Sequence, residues 1–430
     1  MAKDENGPVD TAHLPPEVHH HAALDARLVK AAKGIRILAM ASWPAGEEVR
    51  FLQAHARGQH YLPHIEYAHR DFTQTRHELD LIAEEADEDH PLGQYIAESA
   101  RSWCTAAAMM EALGTAEVTG HSLELYGGPA EALPGNGPTT REAAHHFIEI
   151  ANELDRELLA PSEHVEISAT ALQLQLQREL DDFFDGRMIE VVLDPDLIAK
   201  AAAGATRIRL RHGAAFRDYD RYQLLHHEAF VHSLTALNGR HQTMLPSLSL
   251  PSPRVTATQE GLATFAEQIT GHIDIGRMKR ISLRIEAVAM ALDGADFIQV
   301  FHYFLDAGQS PEDSFASAQR VFRGVPTSGG HAFTKDTVYL RGLVDVHTFF
   351  RWALRQQKLH LCRWLFAGKM TLVDVERFAP LFEAGVLLPA RWLPRWVERA
   401  NGLAGMLAFS LFANRIRLES VPEEAAFHDP

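Results

Sequence analysis

Two histidines flank a glutamate in the stretch LLHHEAFVH, residues 224–232. Peptide hydrolysis at zinc needs three neutral or anionic protein ligands, an open position for water, and a base that takes a proton from that water. His227 and His232 are the candidate ligands, and Glu228, next to His227, is the candidate base. These residue types therefore indicate a hydrolytic metal site.

The spacing of the two histidines is unusual for such a site. In the common HExxH arrangement they are four residues apart and share one helix face. Here they are five apart, which on a regular α-helix separates them by about 140° around the axis. A one-residue π-bulge between Glu228 and His232 would return both side chains to one face, and such bulges favour functional sites. The metal hypothesis therefore predicts this distortion of the helix.

The candidate third ligand is Glu260 in TQEGLA, because it lies on the next helix after a loop long enough to turn the chain back. Thr256 and Gln259 have the spacing of a capping box at the start of that helix. The macrodipole alone would also favour a glutamate in the first turn. Glu267, two turns later on roughly the same face, and His272 are weaker substitutes.

The elements that must position these residues are mostly helical, with apolar residues recurring every three or four positions. RMIEVVLD (187–194) and TRIRLRHGAAF (206–216) are typical of strands. The predicted fold is α+β and predominantly helical, with a small sheet beside the motif helix. The predicted organisation is a disordered tail at 1–25, a helical part at 26–150, a catalytic part with a helical C-terminal region at 151–415, and a flexible tail at 416–430.

Composition and charge limit the partners and the cellular compartment that we expect for this protein. The chain has 430 residues and a formal net charge of -16, which argues against binding to nucleic acid or to an anionic membrane. MAKDENGPVD lacks the basic and apolar regions of a signal peptide, and the most apolar stretch, 402–413, is too short to span a bilayer. Cys104 and Cys362 are too few for a disulfide framework or a zinc finger. We expect a cytoplasmic protein with no nucleic-acid or membrane partner.

HEAFVH and TQEGLA, with further segments, resemble the bacterial family named for its QEGLA motif, also labelled flavohaemoglobin expression-modulating. That family shares a domain with the microtubule-associated tyrosine carboxypeptidases. The likeness covers most of the chain, from near residue 30 to near residue 415. It includes GTAEVTGHSLELYGGP (114–129), RGVPTSGGHAFTKDTVYLRGL (323–343) and LFAGKMTLVDV (365–375).

The resemblance implies an atypical zincin, a metallopeptidase core with HExxxH in place of HExxH. It implies that His227, His232 and Glu260 bind one zinc ion and that Glu228 is catalytic. It also implies carboxypeptidase activity on the C-terminus of a peptide or protein, with a preference for a terminal tyrosine or phenylalanine.

A carboxypeptidase must also bind the free carboxylate of its substrate. Arg323 precedes a glycine-rich loop, and Thr334 is the predicted N-cap of the following helix, with Lys335 and Tyr339 in its first turns. Arg323 and Lys335 could hold the carboxylate, while Tyr339 or His331 could stabilise the oxyanion. Tyr339 also begins an apolar stripe, so core packing is an alternative, and Lys335 could simply be solvated.

The leading hypothesis is a zinc carboxypeptidase. The alternative from another class is a non-enzymatic metal-binding regulator, which predicts a metal closed by a fourth protein ligand. A third hypothesis is a zincin aminopeptidase or endopeptidase, which would carry an acidic residue in place of Arg323 and Lys335. The sequence determines neither the natural substrate nor the oligomeric state.

Overall fold

The computed structural model describes residues 15–154, 166–195, 197 and 200–416, and helices dominate them. The α-helices are α1 (Pro16–Ala32), α2 (Ile37–Met40), α3 (Gly46–Ala56), α4 (Thr73–Glu85), α5 (Pro91–Glu111), α6 (Glu117–Tyr126), α7 (Thr140–Glu153), α8 (Ala169–Phe184), α9 (Asp218–Gln223), α10 (Leu234–Gly239), α11 (Thr256–Ile269), α12 (Ile275–Leu292), α13 (Phe297–Asp306), α14 (Pro311–Val321), α15 (Val338–Arg355), α16 (Leu361–Trp364), α17 (Leu372–Arg377), α18 (Ala379–Glu383), α19 (Arg395–Glu398) and α20 (Ala400–Ala413). A π-helix spans Leu224–Ser233, and 3-10 helices span Pro246–Ser249, Pro253–Val255 and Thr334–Thr337. None of the described helices is long and apolar enough to cross a membrane.

The strands form two small sheets, which confirms the predominantly helical α+β prediction. The strands are β1 (Ile167–Ser168), β2 (Glu190–Asp194), β3 (Ala201–Gly204), β4 (Arg207–Arg211) and β5 (Ala215–Phe216). The larger sheet has the order β2-β4-β3, in which β4 is parallel to β2 and antiparallel to β3. Ser233, at the end of the π-helix, donates a 2.9 Å hydrogen bond to the Gly204 carbonyl. This bond holds the sheet beside the motif helix.

Three predictions about helix starts are wrong. Helix α1 begins at Pro16, so the predicted tail at 1–25 is too long: Val18, Leu24 and other residues of α1 are buried in the core. Residues 1–14 and 417–430 lie outside the described residues, and the boundary near residue 150 stays a prediction. Thr256 is the first residue of α11 and makes no capping bond, because the preceding 3-10 helix feeds directly into α11.

Thr334 does not cap α15 either, because its polar groups have a tertiary partner. Its backbone N–H donates to Ser122 Oγ at 2.8 Å, and its own hydroxyl donates to the Ser122 carbonyl at 3.0 Å. Thr334 therefore begins a 3-10 helix docked on α6, and α15 starts only at Val338. Lys335 lies in that 3-10 helix, not in the first turn of α15.

Two glycines let α11 and α15 cross at close range. A Cβ added to Gly261 would overlap the backbone of Gly342, and a Cβ added to Gly342 would overlap the carbonyl of Ala257. The crossing brings Glu260, on α11, next to the 3-10 helix that precedes α15. The core that surrounds it is continuous, with buried residues from Val18 in α1 to Leu407 in α20.

Candidate metal centre

The motif helix has the distortion that a metal site requires. Residues Leu224–Ser233 are π-helical, and the N–H of Leu234 donates to the carbonyl of Ala229, five residues back. The prediction of a bulge between Glu228 and His232 is confirmed, and the π-helical stretch is longer than one bulge. It turns His227 and His232 to the same side, where their rings lie 4.9 Å apart at an angle of 79°.

His227, His232 and Glu260 meet at a single point. Glu260 Oε2 lies 3.4 Å from His227 Nε2 and 3.5 Å from His232 Nε2. Zinc bonds to nitrogen and carboxylate oxygen are about 2.0–2.2 Å long, so two ligands of a tetrahedral zinc lie about 3.4 Å apart. Among the described residues, these three form the group of His, Cys, Asp and Glu side chains with metal-binding spacing.

The two oxygens of Glu260 have different surroundings. Oε1 accepts a 2.8 Å hydrogen bond from Lys335 Nζ, whereas Oε2 is buried and has no hydrogen-bond partner. Burial opposes ionisation of Glu260, but the Lys335 ammonium and the two facing imidazoles hold its pKa well below the usual range. An ionised, buried oxygen that faces two imidazole nitrogens fits a divalent cation such as zinc.

Glu267 lies behind His227 and is not a third ligand. Its Oε1 is 2.6 Å from His227 Nδ1, and Arg277 holds the same carboxylate through contacts of 3.2 and 3.3 Å. Burial alone would lower the pKa of His227, but the neighbouring carboxylates of Glu260 and Glu267 raise it to about 10. A carboxylate bonded to Nδ1 leaves Nε2 directed at the metal position, the usual support for a metal-binding histidine.

His272, the other substitute ligand, does not belong to the ligand group of His227, His232 and Glu260 either. Its ring stacks on Tyr222 at 3.9 Å and on His226 at 4.8 Å, outside the ligand group. Burial and the neighbouring His272 lower the pKa of His226 to about 4, and burial also lowers the pKa of His272. The column packs on the motif helix beside the site.

Glu228 is half-buried on the motif helix, and its charge interacts with His227 and with Lys369. Lys369 is buried at 6% exposure and donates a 3.0 Å hydrogen bond to Gln259 Oε1. The same oxygen accepts a 2.9 Å bond from Thr235 of α10. Gln259, on α11 beside the proposed ligand Glu260, is thus bonded to α10, which continues the motif helix.

The predicted substrate-binding residues are only partly brought together. Lys335 contacts Glu260, and its ammonium lies 5.4 Å from the centre of the Tyr339 ring. Arg323 and Tyr339 are half-buried and interact electrostatically. His331 makes no hydrogen bond, ion pair or ring contact with the metal group in the described part of the chain.

Sequence reasoning did not assign roles to Arg277, Lys369 and Arg284. Lys369 lies in LFAGKMTLVDV, one of the segments that carry the family likeness, and this likeness could have indicated it as a site residue. Arg277 and Arg284 are seven residues apart on the same face of α12, but nothing local distinguishes them from solvated arginines. Only the tertiary structure shows their partners, Glu267 and Asp336.

Comparison with known proteins identifies one family. The family model described as microtubule-associated tyrosine carboxypeptidase matches residues 50–415, which include the motif helix, α11, α12 and α15. No curated protein matches the chain.

Proposed function

Because the chain belongs to the microtubule-associated tyrosine carboxypeptidase family, we propose that it is a zinc-dependent carboxypeptidase. It hydrolyses the last peptide bond of a peptide or protein and releases a terminal tyrosine or phenylalanine. The observation that best supports the metal site is the π-helix, which aims His227 and His232 at Glu260. The aromatic preference rests on the family likeness alone.

The protein's own groups would carry the proton transfers. A bound zinc ion would act as a Lewis acid toward water and the scissile carbonyl. Glu228 accepts a proton as the water oxygen bonds to the carbonyl carbon, and passes it to the leaving amine as the carbon–nitrogen bond breaks. His227, His232 and Glu260 would hold the ion, and Glu267 fixes the orientation of the His227 ring.

The basic residues favour the C-terminal end of a peptide as substrate. Arg323 has no ion pair or hydrogen bond among the described residues, so it can bind an anion, whereas Lys335 is engaged with Glu260. An aminopeptidase would need a carboxylate for the substrate amine. Asp336, the residue after Lys335, is already bonded to Arg320 at 2.7 and 2.6 Å and is not free for that role.

The ligand group also favours catalysis over a purely structural metal. It contains three protein ligands in the described residues, which leaves one position of a tetrahedral ion for water. A closed structural or sensory site would have four. The non-enzymatic regulator is therefore the weaker alternative.

The test compares the wild type with Glu228→Gln. Both proteins should bind one zinc ion, because Glu228 is not a proposed ligand. The wild type should release tyrosine or phenylalanine from peptides that end in these residues, and the variant should be slower by about 10²- to 10⁴-fold. A zinc-loaded variant with wild-type turnover would rule out Glu228 as the base. C-terminally amidated peptides are the substrate control and should not be cleaved.

A further inference from the structure

Helix α20 is apolar on both sides, although only one side packs against the rest of the protein. Leu403 and Leu407 are buried in the core, and α20 packs on α15. The opposite side is the outer face of α20, made of Gly402, Gly405, Met406, Phe409 and Phe412. Its three large side chains, Met406, Phe409 and Phe412, are 54%, 72% and 61% exposed. Because a helix that is apolar all round is usually buried all round, this face lacks a partner among the described residues.

The outer face has the spacing of a helix that pairs with another helix. Gly402, Gly405, Phe409 and Phe412 follow one another at intervals of three, four and three residues, and all four are exposed. This is the spacing of the a and d positions of a heptad, which face the partner in a coiled coil. Residues 400–414 contain no charged side chain that would keep this face in water.

A groove with a volume of about 290 Å³ runs beside the first half of the outer face. Its lining includes Gly402 and Met406 of α20, Trp396 of α19, Phe230 of the motif helix and Ile269 of α11. Phe409 and Phe412 lie further along α20, beyond this lining. One helix therefore has a groove beside its first half and two exposed phenylalanines on its second half.

The two halves complement each other when a second α20 lies antiparallel to the first. The helix spans residues 400–413, so a pair centred on its midpoint sets Phe412 of one copy level with Gly402 of the other. Phe409 is then level with Gly405. Large side chains meet small ones, and a two-fold axis repeats each contact. A parallel pair would set phenylalanine against phenylalanine and leave the groove unfilled.

The exposed apolar area matches the need of a weak dimer. A buried aromatic side chain covers about 150–250 Å², so Met406, Phe409, Phe412 and the exposed Ile416 offer about 500 Å² together. Two copies would bury about 1,000 Å², the lower limit for a specific interface, and dissociation in the micromolar range follows. An anionic membrane is a poorer partner, because the chain has a net charge of -16.

We propose that the outer face of α20 is the interface of a homodimer, in which Phe412 of each copy enters the groove beside Gly402 of the other. The interface contains none of the proposed metal ligands. It does contact the motif helix and α11, the two elements that carry them, through the groove. The inference does not depend on the proposed peptidase function.

The first experiment is sedimentation equilibrium of the full chain at concentrations from about 1 to 200 µM, the range in which a micromolar dimer forms. The wild type should change from monomer to dimer. Phe409→Glu and Phe412→Glu should each weaken association by about 10- to 100-fold, because the dimer would bury an unpaired charge. Leu174→Glu is the matched control: Leu174 is an exposed leucine of α8, and its replacement should leave association unchanged.

A second variant separates this packing from general stickiness. A Cβ at Gly405 meets nothing within 4 Å, so Gly405→Leu should fit within one copy and favour the helix. The leucine adds apolar surface, which would strengthen non-specific association. In the proposed dimer it occupies the space of Phe409 from the second copy, so association should weaken by about 10-fold or more. Equal or stronger association of Gly405→Leu would overturn the proposed packing.

Other occupants of the outer face give different results. A wild type that stays monomeric at the highest concentration overturns the inference. If such a monomer also sediments with vesicles of equal phosphatidylcholine and phosphatidylglycerol, and Phe409→Glu does not, the face binds lipid. If the full chain is monomeric and a chain shortened after Ile416 is dimeric, residues 417–430 compete for the face and the homodimer is wrong for the full chain.

Discussion

Gly261 and Gly342 lie backbone against backbone where α11 crosses α15. Glu260 directly precedes Gly261, and the 3-10 helix that carries Lys335 leads into α15. The distance between the two helix axes therefore sets the distance between a proposed metal ligand and the lysine that holds it. Any side chain at the crossing would separate the two helices and disturb this pair.

Gly261→Ala and Gly342→Ala should each lower the free energy of unfolding by about 1–3 kcal/mol, the usual cost of overpacking a core. The atoms that the new methyl group meets belong to the backbone and cannot rotate away. Urea denaturation measures the change. Gly120→Ala is the control: Gly120 lies in α6, a Cβ there meets nothing within 4 Å, and alanine should be neutral or stabilising. A Gly261→Ala variant as stable as the wild type would contradict the close crossing.

Glu267→Gln should weaken zinc binding by about 10- to 100-fold. Glu267 accepts the 2.6 Å hydrogen bond from His227 Nδ1 and so directs Nε2 at Glu260. The amide keeps the shape of the side chain but removes its charge. Its NH2 group is a donor and cannot accept the hydrogen bonds that both carboxylate oxygens accept from His227 and Arg277. Competition with a chromophoric chelator measures the affinity. Gln268→Ala, an exposed change on the same helix, should leave it unaltered.

The ligand group could be predicted because zinc chemistry restricts both residue type and geometry. His227 and His232 lie close in sequence, and their spacing of five requires a π-helix, which the structure contains. Glu260 is more distant in sequence, but it is a carboxylate near the start of the following long helix, and this position indicates it as the third ligand. The alternation of Ile208 and Leu210 with arginines likewise predicted β4, where both apolar residues are fully buried.

The remaining features depend on contacts that local patterns do not contain. Thr334 has the residue type of a helix N-cap, but its N–H and hydroxyl groups donate hydrogen bonds to Ser122, which is 212 residues away in sequence. Arg284 and Arg320 look like ordinary surface arginines until α12 and α14 are packed around Asp336. The end of the predicted tail was misplaced because a polar, histidine-rich segment such as α1 gains its stability from packing against the core.

Asp25 should make stability depend on pH. Its carboxylate is buried and accepts a 2.9 Å hydrogen bond from the N–H of Ser247. Burial outweighs the bonds to Ser247 and raises the pKa of Asp25 to about 7, from 3.8. Between these two pKa values the folded protein keeps a proton that the unfolded chain releases. The stabilisation that this proton provides is therefore lost as the pH rises from 3.8 to about 7.

The measurement is the free energy of unfolding by urea at several pH values across the same interval. Asp25→Asn cannot titrate, so its stability should fall less steeply with rising pH than that of the wild type. Asp306→Asn, an exposed change, should keep the wild-type slope. Equal slopes for the wild type and Asp25→Asn would refute the prediction.

Lys335→Met should destabilise the protein most when no metal is bound. Lys335 Nζ donates a 2.8 Å hydrogen bond to Glu260 Oε1, and both side chains are largely buried. Removing one partner of a buried ion pair costs about 3–5 kcal/mol, because the other charge is left uncompensated. Zinc bound at the other oxygen would offset part of that loss. Urea denaturation in a chelator and in excess zinc measures both values, with the exposed Lys33→Met as the control. If Lys335 instead binds the substrate carboxylate, the variant will keep its stability in the chelator and raise KM only for peptides with a free terminus.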